Sequence, residues 1–368
     1  MKKTILFFGK LPPPYIGPSF ATKVIIESSL KKRFNLIHFN LSHHKSINEL
    51  GELSLNNLLY AFAQYYRFIK NIIKFKPDIV YIPSQQTTIA YLRDIPFFLI
   101  TKLFRSKLVC HLRGGYFLNW YDESSFIVKI IIRYAQKLID GQIVLGFNLK
   151  HVFEPFMDNS KIYVIPNGGN FNYDGLKVFN KKKIKILYLG NFVKSKGILD
   201  FLSSGDYLPK KYKDKIVFQI VGAHVDCEND IKDILRSRLD LKFDNLGTLS
   251  GKEKRIVLAN ADIFVFPTYY RNEGHPWVIV EALAAGLPII STDRGAIIES
   301  VIDGYNGYIV KPKSPQHITE KIIKLIDDEN LLNQMSTNSL NIYNEKFTEQ
   351  RLVDNFSIVF NKILNIIK

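Results

Sequence analysis

The sequence predicts an α/β protein built from two doubly wound, Rossmann-like domains in tandem. Three observations carry this. The 368 residues are two domains' worth at roughly 150 residues each. Short β-rich runs alternate with longer helical patterns, as parallel sheets with crossover helices require. The alternation breaks once, at a polar lysine-rich stretch, and then begins again. In the first half the strand candidates are residues 4–9, 35–40, 78–83, 107–112, 142–146 and 161–166. The stretch 170–183 (NFNYDGLKVFNKKK) reads as the linker. Beyond it, strands are predicted at 185–190, 215–222, 262–267, 288–292 and 307–312. This gives an N-terminal domain over 1–175 and a C-terminal domain over 183–346. A final amphipathic pattern, 347–368, is predicted as a helix packing back on the first domain.

Composition narrows the class. At 46% hydrophobic and 23% charged residues, the whole chain is neither disordered nor collagen-like. Cys110 and Cys227 lie far apart and outside any CxxC or Cys/His cluster, so neither a disulfide framework nor a structural zinc site is expected, and a reducing cytoplasm fits. The opening MKKTILFFGKLPPP has an apolar run, Ile5 to Phe8, about half the shortest signal-peptide core, and reads as the first strand. No run reaches the ~18 apolar residues of a membrane span. The net charge of +16 is uneven: residues 1–180 carry +12 and the rest +4. Three segments of that basic half, 60–76, 95–109 and 126–139, interleave Lys and Arg with Ile, Phe and Tyr as interfacial helices do. They predict helices over a sheet, with peripheral contact to an anionic membrane surface on the inner face of the cell membrane as a further expectation.

The window 264–301, FVFPTYYRNEGHPWVIVEALAAGLPIISTDRGAIIESV, is the most informative. A strand ends at Pro267, a loop carries Glu273, Gly274, His275 and Pro276, and a helix beginning near Pro276 or Trp277 stops at Gly286-Leu287-Pro288. Gly274 lets the backbone approach a ligand, and the helix's positive end suits an anion. Glu273 and Glu281 are eight positions apart, roughly 12 Å at helical rise.

This window, continued by DGYNGYIVKP, resembles the E-x7-E segment of retaining glycosyltransferases of family 4, the group 1 glycosyltransferases of GT-B fold. The resemblance implies two facing domains with a cleft between them, a nucleotide-diphosphate sugar donor and no metal or other cofactor. It implies that Glu281 holds the ribose hydroxyls and Glu273 contacts the donor sugar, with the backbone of Gly274, His275, Pro276 and Trp277 near sugar and diphosphate. GNFVKSKGILD (190–200) resembles the family's phosphate loop. Lys196 matches its lysine, Asn191 stands where an arginine is common, and Lys194 is a candidate for the missing charge. LPPPYIGPSFAT (11–22) resembles the glycine loop after the first strand; Gly17 keeps one glycine and Pro18, which has no amide to donate, replaces the other. After strand 107–112 the family shows His-x-His-Gly. Here Arg113 takes the usual histidine place and His111 lies two before it, so either is a candidate to face the reacting sugar. Asn167, in IPNGG, is expected to make the turn toward the linker and lies near the acceptor in a second reading.

No Asp-x-Asp pair is present, Asp226-Cys227-Glu228 being nearest, and there is no GxGxxG or GxxxxGK[ST]. No nucleic-acid-binding module accompanies the basic charge. The sequence therefore predicts a retaining glycosyltransferase moving a sugar to a membrane-associated or polysaccharide acceptor, in bacterial surface glycan synthesis such as O-antigen, capsule or lipopolysaccharide. Glu273, Lys196, His111 and Arg113 are its catalytic candidates. The alternative is a non-catalytic sugar- or lipid-binding protein on a decayed transferase scaffold, which the Asn191 and Pro18 departures motivate.

Overall fold

The computed structural model describes residues 2–13, 16–40, 55–176, 183–238 and 240–366, with backbone alone for 55–61. Parts of the predicted glycine loop (14–15), linker (177–182) and final helix (367–368) lie outside these residues, as do the side chains at the start of segment 60–76.

The apolar runs form two six-stranded sheets in which every pairing is parallel. The first contains β1 (Thr4–Phe8), β2 (Asn35–Phe39), β3 (Ile79–Ser84), β4 (Lys107–Leu112), β5 (Gly141–Val144) and β6 (Ile162–Val164), in the order β2-β1-β3-β4-β5-β6. The second contains β7 (Ile184–Leu189), β8 (Ile216–Val221), β9 (Phe243–Asn245), β10 (Ile263–Phe266), β11 (Ile289–Ser291) and β12 (Gly307–Ile309), in the order β12-β11-β10-β7-β8-β9. Both sheets are doubly wound, because right-handed crossovers leaving a central strand in opposite directions put helices on opposite faces. With both faces covered, the strands read as continuous apolar runs rather than alternating ones. β9 is the strand the sequence does not announce. It is three residues long, sits at an edge, and only Phe243, opposite Phe218, offers an apolar anchor.

The chain divides into two compact units, one running to Gly169 and resuming at Glu349, the other Asn170–Thr348. In the first, Phe7, Tyr81, Val109 and Ile143 lie on one face of the sheet, against Leu352, Phe356, Phe360 and Ile363 of the helix Glu349–Ile363. Those helix positions recur every three to four residues, and each large side chain buried there contributes about 2 kcal/mol. On the other face Phe8 packs against Phe39, Phe68 and Phe97. The final helix begins at Glu349, two residues later than 347. Phe347 belongs to the second unit, its ring centroid 5.1 Å from that of His275. Residues 170–176 are likewise part of the second unit rather than a free connector: the Phe171 amide donates to the Tyr343 hydroxyl at 3.1 Å.

Candidate functional site

The second unit brings two loops to the same edge of its sheet. One follows β7, where a single 3-10 turn, Lys194–Lys196, leads through Gly197 into the helix Ile198–Ser204. The other follows β10 and enters the helix Trp277–Ala284. Gly197 has φ +78°, and a Cβ there would stand 2.3 Å from the Pro267 carbonyl oxygen, so only glycine lets the loops meet. The Tyr269 amide donates to the Ser195 carbonyl at 2.7 Å, and the buried Tyr188 hydroxyl donates to the Lys196 carbonyl at 3.3 Å.

At this junction Lys196 Nζ lies 3.9 Å from Glu273 Oε2, above the rings of Phe266 and Tyr270. Glu273 is 9% exposed, and the fully buried Thr268 hydroxyl donates to the same carboxylate oxygen at 3.2 Å. The loop is held from behind as well. Gly295, at φ +54°, would press a Cβ to 2.1 Å from the Gly274 carbonyl oxygen, and the next amide, that of Ala296, donates to that oxygen at 2.6 Å.

Pro276 caps the helix with extended backbone, and regular helix begins at Trp277. Glu273 is therefore not helical, and its separation from Glu281 does not follow helical rise, which corrects the 12 Å expectation. Glu281, 3% exposed, points its carboxylate at Lys254, with Nζ 2.5 Å from Oε1. Burial pushes the Glu281 carboxyl above the usual carboxylate range, and the Lys254 ammonium opposes that rise. The Tyr173 hydroxyl donates to the Glu281 carbonyl at 3.2 Å, and burial, then the nearby carboxylate, raise its own pKa.

The His275 side chain does not face the loop surface. It is buried, hydrogen-bonds Ser300 Oγ through Nε2 at 2.7 Å, and burial pushes its pKa down to about 3. Lys194 pairs with Asp230 at 2.9 Å while its amide donates to Asp226, so it is engaged away from Glu273. The Asn191 side chain is exposed.

In the first unit, Gly17 opens the helix Gly17–Glu27 and is exposed. His111 and Arg113 are joined through β3. Arg113 Nη2 donates to the Tyr81 hydroxyl at 2.7 Å, and that hydroxyl shares a hydrogen bond with His111 Nδ1 at 2.8 Å. His111 Nε2 is buried without a partner. Burial, then the Arg113 charge, holds the imidazole neutral, and burial lifts the Tyr81 phenol to about 12. The expectation that His111 meets substrate is corrected: it has no exposed surface and its ring lies between Tyr81 and Phe356. Arg113 is the half-exposed member of the pair, with Nη1 3.4 Å from Oδ1 of the buried Asn167.

Residues 173–341, nearly the whole of the second unit, match the family model "Glycosyl transferases group 1". Residues 173–341 form a group 1 glycosyltransferase domain. An uncharacterized glycosyltransferase of Methanocaldococcus jannaschii, MJ1069, is 26% identical over 317 residues, covering 82% of this transferase and 79% of that one. The N,N'-diacetylbacillosaminyl-diphospho-undecaprenol alpha-1,3-N-acetylgalactosaminyltransferase of Campylobacter jejuni is 30% identical over 226 residues, 60% of this chain and 54% of that one. Among solved structures, HepE of Anabaena in complex with UDP and glucose superposes with a TM-score of 0.73 at 17% identity, covering 98% of this chain and 100% of that one. The transferase fold is GT-B, with two Rossmann-like units.

Sequence reading missed several residues that pack around Glu281 and Gly274. Lys254 lies 27 positions from its partner Glu281, and Tyr173 lies 108 from it. Neither separation has a periodic signature. Gly295 stood inside a noted run, but its purpose shows only when Gly274 is folded against it.

Proposed function

We propose that this enzyme is a retaining transferase that moves a sugar from a nucleotide-diphosphate donor to a membrane-associated or polysaccharide acceptor in bacterial surface glycan synthesis, in the cytoplasm. One observation carries the donor assignment. Two carboxylates, Glu273 and Glu281, are kept buried beside lysines on the loop and helix that follow β10. Burying an ion pair rarely adds net stability, so such pairs at a loop junction mark a binding site. Glu281 accepts from the ribose hydroxyls, and Glu273 accepts from a hydroxyl of the donor sugar. Lys196 and the backbone of Gly274, His275 and Trp277 hold the diphosphate and stabilise the charge it gains on leaving, in place of a metal ion. No side chain here is placed as a nucleophile. The acceptor oxygen bonds to the anomeric carbon as the bond from that carbon to the phosphate oxygen breaks, and the acceptor's proton passes to the departing oxygen on the same face. Arg113 faces an anionic group of donor or acceptor. The Campylobacter relative, whose name specifies a diphospho-undecaprenol acceptor, supports the lipid-linked class.

The test is nucleotide release from a panel of nucleotide sugars with lipid-linked and polysaccharide acceptors, with and without EDTA. Glu281→Ala should raise the donor KM about tenfold or more, and Lys196→Ala should lower kcat about a hundredfold. EDTA should change nothing. Full activity in both variants overturns the site, and donor binding without turnover on every acceptor overturns the transfer reaction.

A further inference from the structure

Three neighbouring helices cover one face of the first unit's sheet: Leu55–Phe75, Thr88–Leu103 and Phe126–Gln136. They are tied side by side, the Tyr65 hydroxyl donating to the Arg93 carbonyl at 2.9 Å and Gln136 Nε2 donating to the Tyr91 hydroxyl at 3.0 Å. Each buries one side on the sheet, through Phe68 and Ile72, Phe97 and Phe98, and Ile132 and Ala135. On a soluble protein the opposite sides should be polar, but these are apolar. Phe62, Tyr66 and Ile73 on the first helix are 61%, 59% and 56% exposed, at the four-and-seven spacing of a single stripe. Ile89, Leu99 and Leu103 on the second helix are 55%, 54% and 78% exposed, and Phe126, Ile127 and Tyr134 on the third 77%, 69% and 66%.

The charges on these helices are nearly all basic. Lys70, Lys74 and Lys129 lie on the first and third helices, Lys137 caps the third, and Lys102 on the second pairs with Asp140 at 2.7 Å. Asp94 is the one acid among the described side chains of these helices, and it is 1% exposed. No helix among the described residues is long and apolar enough to cross a membrane.

We propose that this three-helix face docks flat on an anionic lipid bilayer, its Phe, Ile and Leu side chains entering the acyl boundary while the lysines meet lipid phosphates. Greasy stripes rimmed by lysine fit that occupant. A second copy of the chain would bring the same positive charge against itself. The docking deepens the transfer reading, since it would hold the enzyme beside a lipid-linked acceptor, but partition onto vesicles needs neither donor nor acceptor and is judged separately.

The experiment is co-sedimentation of the full chain with vesicles of phosphatidylglycerol and phosphatidylcholine in equal parts, against phosphatidylcholine alone. The wild type should pellet with the first and not the second, and 0.5 M NaCl, on the order of ten times the ionic strength of a low-salt buffer, should release most of it. An apolar variant (Leu103→Ser, Phe126→Ser, Ile127→Ser) and a charge variant (Lys70→Glu, Lys74→Glu, Lys137→Glu) should each lower the partition at least about tenfold with melting temperature unchanged. Equal, negligible partition onto both vesicles overturns the proposal. So does wild-type partition in both variants, or a concentration-dependent dimer that the apolar variant abolishes. Should either variant fail to fold, the lipid and salt dependence of the wild type decides.

Discussion

Removing the Lys254 ammonium tests whether Glu281 is a charged binding group or a buried packing residue. In Lys254→Met the Glu281 carboxylate, 3% exposed, loses the cation 2.5 Å from Oε1 while keeping the burial that already raises its pKa. Breaking a buried pair in this way costs roughly 3–5 kcal/mol, and about 3 is expected because Lys254 keeps a quarter of its side-chain surface in water. The cost should depend on pH with a definite sign. A carboxyl whose folded pKa is raised above its unfolded value binds its proton more tightly when folded. Stability therefore falls as pH rises from the ordinary value of 4.5 through the folded one. In the variant the folded value rises further, so the loss should be small at pH 5 and full at pH 8. Trp277 is the single tryptophan of the second unit, so urea unfolding followed by fluorescence in a Trp120→Phe background reports that unit. With Glu281→Gln and the double variant, the cycle should give an interaction energy of about 2 kcal/mol at pH 8. Nucleotide affinity of Lys254→Met should recover as pH rises. Equal destabilisation at both pH values, or strictly additive single changes, would refute the reasoning.

Gly295→Ala should destabilise the second unit by about 2 kcal/mol or more, because the methyl meets the Gly274 carbonyl and the backbone is left-handed; a melting temperature within a degree of wild type would count against the loop packing. His275, with its pKa pushed down to about 3, stays neutral when folded while the unfolded chain takes a proton below 6.5. Lowering the pH from 7 to 5 should thus cost about 2 kcal/mol in urea titrations. His275→Gln should remove that part of the slope, and an unchanged slope would show that the imidazole is not the source.

What the sequence determined is the part that rests on local pattern. Eleven of the twelve strands appear as apolar runs because strands buried on both faces leave no room for polar positions. The helix that opens at Trp277 is announced by the proline before it and the Gly286-Leu287-Pro288 stop after it. The loop that carries Glu273 lies in a run of about fifty residues that resembles one family. Local pattern fails where contact is made across the chain. β9 is an edge strand whose partner alone defines it, and the second unit runs on to Thr348, with the Phe347 ring against His275. The choice between His111 and Arg113 could not be made from a strand's alternation, since positions two apart share a side. Folding separates them in exposure: the Tyr81 hydroxyl meets the buried His111 ring at 2.8 Å, while Arg113 stays half-exposed. Lys254 came beside Glu281 by the same means. The charge a buried carboxylate can keep is set by what other helices bring to it, and that is a property of tertiary structure alone.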